Sequence, residues 1–67
     1  MTPIHRMAMR IKELRERRGM TQGELARKAG ISRGYLARLE TARQDPTLGV
    51  LEKLAKALKV KVSKLVE

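Results

Sequence analysis

Cysteine, tryptophan and phenylalanine are absent from this chain, and tyrosine and histidine occur once each. Without cysteine there is no disulfide framework, no thiol nucleophile and no thiolate metal site. A single histidine, His5, and a single aspartate, Asp45, leave too few ligands for a metal centre and no dyad for acid–base chemistry. No catalytic residue, metal or cofactor is therefore expected. One ring, Tyr35, cannot build the stacking platform that binders of RNA and single strands use. No apolar run approaches the roughly eighteen residues of a membrane span. The opening MTPIHRMAM lacks the apolar core and small-residue cleavage site of a secretory leader. A cytoplasmic protein without membrane contact is the expectation.

Positive charge is what the chain has in excess. Sixteen Lys and Arg stand against seven Asp and Glu, a formal net charge of +9. Such a field attracts polyanions, and with almost no aromatic rings the best-fitting one is duplex DNA. Sixty-seven residues read as one domain, near the lower end of what folds alone with a modest core.

The hydrophobic pattern is helical throughout. Residues 1–5 carry Pro3 and no periodicity, which predicts a flexible arm ahead of a domain over 6–67. Met7, Ile11 and Leu14 then mark an amphipathic helix over about 6–18, ended by Gly19. Thr21 with Glu24 three residues later is a capping box opening a second helix, and Gly30 closes it. Ser32 caps a third helix, about 32–40, in which Leu36 and Leu39 face inward. Pro46 ends a turn-rich loop, and Thr47 caps a fourth helix. Its Leu48, Leu51, Leu54, Ala55 and Leu58 form the wall of the core. A short fifth helix is expected from about Val62. Apolar side chains beyond what one small core hides, Val60, Val62, Leu65 and Val66, suggest a dimer patch.

The stretch TQGELARKAGISRGYLARLE is thus two short helices joined by a tight turn, with a basic outer face. Gln22, Leu25, Ala26, Ala29, Gly30, Ile31, Leu36, Leu39 and Glu40 fall where the phage-repressor-like helix-turn-helix family, the Cro and repressor group, places its motif residues. The chain resembles that family from roughly Arg10 to Leu65, departing from it at Lys59 and Lys61, where Gly and a Ser or Thr cap are usual. The resemblance implies an all-α, five-helix domain whose third helix enters the major groove. It places Ser32, Arg33, Gly34 and Arg38 at base-contacting positions. Arg33 has the donor pair that suits O6 and N7 of guanine. Gln22, Arg43 and Gln44 fall at phosphate-contacting positions, and Arg15 and Glu40 are implied to form a structural bridge; Tyr35 is either a phosphate contact through its hydroxyl or a half-packed surface ring.

The function this implies is a sequence-specific regulator of transcription, a repressor of bacterial or phage type in the nucleoid, acting as a homodimer on a palindromic operator. With no second domain to sense one, no small-molecule ligand is expected. The alternative is a protein-interaction adaptor of the same fold, such as an antitoxin or coactivator, whose partner is a toxin or the transcription machinery.

Overall fold

A hydroxyl opens each of the first four helices, and a left-handed residue closes each of them. The computed structural model describes residues 2–67, and among these there are five helices and no strand. Helix α1 spans Pro3–Arg17 behind Thr2, α2 spans Gln22–Ala29 behind Thr21, α3 spans Arg33–Glu40 behind Ser32, and α4 spans Leu48–Leu58 behind Thr47. In every case the hydroxyl oxygen accepts an N–H of the first turn that has no partner within the helix. Thr21 and Glu24 form the full reciprocal box.

The four endings are alike as well. Gly19, Gly30, Ala42 and Lys59 have φ of 68°, 70°, 60° and 58°. The next residue donates back to a carbonyl five positions earlier: Met20 to Arg15 at 3.1 Å, and Ile31 to Ala26, Arg43 to Arg38 and Val60 to Ala55 at 2.9 Å each. This is the Schellman pattern, which satisfies carbonyls the helix leaves open. Two of the four positions carry a Cβ where glycine would sit without strain.

Five helices close on one core. Ile11 from α1, Leu25 and Ala26 from α2, Leu36 from α3 and Leu54 and Leu58 from α4 are its main buried members. Helix α2 packs on α3 and α4, and α1 packs on α3 and α5, which spans Ser63–Val66. Ala26 and Ala29, both buried, let the α2 backbone approach its neighbours closely.

Three expectations need correction. Pro3, Ile4 and His5 belong to the first turn of α1; Thr2 caps it, and a proline in the first turn forfeits no helical hydrogen bond. Leu48 has the spacing of the α4 stripe but is 66% exposed, because no other element covers the first turn of α4. Leu65 is fully buried, so it cannot belong to a surface patch, and Val60 and Val62 are half-buried against the same core. Of that patch only Val66 is exposed, at 53%. The short α5 folds its one inward leucine onto α1 and α4, which is why the apolar surplus is smaller than composition suggests.

Candidate nucleic-acid interface

Glu40 ends α3, where the helix dipole disfavours a carboxylate, and its side chain is almost wholly buried. Arg15 compensates it. The guanidinium donates Nε to Oε2 at 2.8 Å and Nη2 to Oε1 at 3.0 Å, and its Nη1 donates to the Met20 carbonyl at 2.8 Å. Gln22 adds a third donor, its amide Nε2 lying 3.0 Å from Oε1. One carboxylate thus joins α1, the first turn of α2 and the end of α3. The hydrogen bonds to Glu40 hold the Arg15 pKa above the ordinary arginine value, outweighing the desolvation that opposes them. A bidentate arginine fork with both carboxylate oxygens satisfied is the geometry in which a buried pair is tolerated.

With its far end held this way, α3 presents Ser32, Arg33, Gly34 and Arg38, all exposed. The Ser32 oxygen accepts the Tyr35 N–H at 3.0 Å, leaving its hydroxyl hydrogen for another acceptor. The Arg33 stem runs across the start of α2: its Cδ lies 3.9 Å from where a Cβ on Gly23 would be. Arg38 folds back along its own helix. Its Cζ is 5.8 Å from the centre of the Tyr35 ring, within cation–π range. Its Nη1 is 3.6 Å from the place a Cβ would take on Gly34. The missing side chain at Gly34 therefore opens the surface over which the guanidinium rests.

Tyr35 is half-buried and packs against the core. Arg43 is exposed and Gln44 half-buried in the loop after α3, where the Thr41 hydroxyl donates towards the Ala37 and Arg38 carbonyls at 3.1 and 3.2 Å. Gln22, expected at a phosphate, commits one amide hydrogen to Glu40. The structure thus brings Arg15, Gln22 and Glu40 together, and separately Gly34, Tyr35 and Arg38.

Two participants escaped the sequence reading. Gly23 leaves room for the Arg33 stem, and the Met20 carbonyl completes the Arg15 fork. Neither has a signal in the sequence, since a backbone carbonyl belongs to every residue and a glycine inside a helix reads only as a weak helix former. Arg10 also belongs to the fold rather than to a merely solvated face: its Nη1 donates to the Lys64 carbonyl of α5 at 3.0 Å. No group of three or more His, Asp or Glu side chains is placed to hold a metal among the described residues, and no helix there is long and apolar enough to cross a membrane.

A family model described as helix-turn-helix matches residues 11–65. The chain belongs to this helix-turn-helix family. It is 47% identical over 60 residues to the immunity repressor protein of Bacillus phage phi105, an alignment covering 90% of this chain and 42% of that protein. The chain thus spans less than half the length of that repressor. Among solved structures it is similar to the restriction-modification controller protein C.AhdI from Aeromonas hydrophila, with a TM-score of 0.91, 31% identity, and 92% and 94% of the two chains covered. It is also similar to SinR, a master regulator for biofilm formation solved in complex with DNA, with a TM-score of 0.88, 37% identity, and 91% and 98% covered. These helix-turn-helix relatives share the all-α architecture described above.

Proposed function

We propose that this protein is a sequence-specific regulator of transcription, of repressor type, that reads duplex DNA with α3. The observation that carries the reading is the rigid basic surface of α3, clamped at its far end by Arg15, Gln22 and Glu40 while Arg33 and Arg38 stay exposed. Its likeness to SinR, solved on DNA, supports the same assignment. In this reading Ser32, Arg33, Gly34 and Arg38 face bases. Gln22 with its second amide hydrogen, Tyr35 with its hydroxyl, and Arg43 and Gln44 from the following loop face phosphates. A net charge of +9 makes affinity fall steeply with salt as counterions are released. Transcriptional control places the protein in the cytoplasm with the nucleoid.

Two copies on adjacent half-sites, about 34 Å apart, suit this motif. One apolar surface available for pairing is the hollow lined by Pro3, Ile4, Met7, Asp45 and Val66. It takes the place of the patch expected over Val60–Val66.

The test is selection and sequencing of random duplex DNA by the wild type and by Arg33→Ala. A palindrome with half-sites one turn apart, relaxed at one position by a substitution costing about 1–3 kcal/mol of discrimination, is expected. Binding without any enriched sequence, unchanged by Arg33→Ala, would defeat the reading in favour of a protein-interaction adaptor.

A further inference from the structure

The positive charge is not confined to α3. Two adjoining hollows lie where α1, α2 and α4 end, and they share Lys28, Ala57 and Lys59 in their walls. Arg18, Arg27, Lys28, Lys53, Lys56 and Lys59 line this groove, and no acidic residue does. Arg17, also in the wall, is paired with Glu13, but none of the other six makes an ion pair among the described residues. No residue of α3 or of the loop after it contributes.

Cations at helix C-termini are common, because they offset the negative end of the dipole. Here they exceed that need. Three helix ends bring about −1.5 elementary charges of partial charge, against six unpaired full positive charges. Lys59 is common to both hollows. Gly19 and Gly30 close α1 and α2 with φ near that of Lys59, and at no steric cost. At the end of α4 the same conformation is held by a lysine, and its side chain lines both hollows. Ala42 holds the same conformation with only a methyl group, so the chain path accounts for the backbone, and what marks Lys59 is that its charge lies in the wall of both hollows.

We propose that this groove is a second polyanion site that takes the phosphate backbone of a second DNA duplex, so that a protein seated on one duplex through α3 holds another. The inference rests on the DNA-reading role above. Duplex DNA fits better than an acidic protein segment. The wall offers flexible point charges and no ring, and its large apolar members, Leu14, Met20 and Val60, are half-buried against the core, which suits following phosphates better than docking side chains. A protein already on DNA also meets other duplex segments at high local concentration.

The experiment captures a fluorescent 40-base-pair duplex on beads carrying a second duplex, beside ordinary one-duplex binding by anisotropy, at two salt concentrations. It compares the full chain with Lys53→Gln/Lys56→Gln/Lys59→Gln, with Lys59→Gly, and with a charge-matched control, Arg6→Gln/Lys12→Gln/Lys61→Gln. The groove triple is expected to lose bridging by about tenfold or more, and to lower the salt slope of bridging by about 2–3, as three lost phosphate contacts require. One-duplex affinity should stay within about threefold of the control variant. Lys59→Gly should bridge several-fold less while folding at least as well, which a purely structural role for Lys59 would not produce.

Absence of bridging by the wild type overturns the proposal. So does equal loss in the control, which would trace bridging to net charge. Bridging undiminished in the groove triple would assign it to two recognition helices of a dimer, and an equal fall in one-duplex affinity would place the groove on the first duplex. Capture of an acidic peptide in preference to the second duplex would overturn it as well. If the wild type binds no duplex at all, the DNA-reading role itself fails, an outcome distinct from binding without bridging.

Discussion

Arg15 and Glu40, 25 positions apart in sequence, meet as a two-pronged ion pair with N–O separations of 2.8 and 3.0 Å. Their side chains are only 10% and 2% exposed. Removing one partner of such a pair leaves a charge stranded out of water, which costs about 3–5 kcal/mol. A domain of this size has about 3–10 kcal/mol of stability in total, at about 0.05–0.15 kcal/mol per residue. Arg15→Ala and Glu40→Ala should therefore melt at least about 12 °C below the wild type by circular dichroism, or fail to fold. Arg15→Met/Glu40→Leu should recover most of the loss, and a double variant no better than either single one would show that the pair is not the cause.

Ala42 and Lys59 hold left-handed conformations without being glycine. Such residues cost about 1–2 kcal/mol each relative to the right-handed region. Ala42→Gly and Lys59→Gly are each expected to raise stability by up to about 1 kcal/mol. In thermal melts that corresponds to roughly 4–8 °C for a domain of this size. Lys59→Ala, which removes the charge but keeps the Cβ, should give little of the gain.

The Glu24 carboxyl accepts the Thr21 N–H at 2.8 Å, and this bond holds its pKa below the ordinary carboxylate value. A carboxyl so held binds fewer protons folded than unfolded. Its contribution is complete above the unfolded pKa and is lost as pH falls through the lowered folded one. Glu24→Gln should flatten the acid limb of the stability profile. NMR titration of Thr21→Ala should find the Glu24 pKa moved upward, since the cap that orders the box is gone.

Gly34 is the second residue of α3, and a methyl group there would meet Arg38 Nη1 at 3.6 Å, an ordinary contact. Gly34→Ala should raise stability by no more than about 0.5–1 kcal/mol, the full gain belonging to helix interiors. If α3 lies against DNA, the same change should weaken binding to the selected operator by filling space the duplex needs. Greater stability with undiminished affinity would remove Gly34 from the interface.

Arg10 reaches from α1 to the Lys64 carbonyl. Arg10→Ala should speed amide exchange across 63–67 while lowering global stability by no more than about 1 kcal/mol, because the bond is solvent-exposed.

Local chemistry by itself determined much of this protein. Thr21, Ser32 and Thr47 cap helices, and Gly19 and Gly30 end them, through contacts within a few residues of chain, so the order of residues suffices to place them. The inward leucines of α2 and α3 follow from the same periodicity. So does the exposure of Ser32, Arg33, Gly34 and Arg38 on the outer face of α3. The partnership of Arg15 with Glu40 had no local pattern, and only the family resemblance pointed to it.

Tertiary structure alone decided the rest. Leu48 and Leu65 are both leucines on apolar stripes, yet one is 66% exposed and the other fully buried, because burial depends on which distant element arrives. Ala42 and Lys59 turn left-handed because the path into the next helix demands it, at positions where side-chain chemistry argues the other way. The groove at the ends of α1, α2 and α4 exists only because three helices separated in sequence finish side by side. Capping and periodicity act over a few residues, whereas burial, pairing and the shape of a charged surface are set by long-range packing.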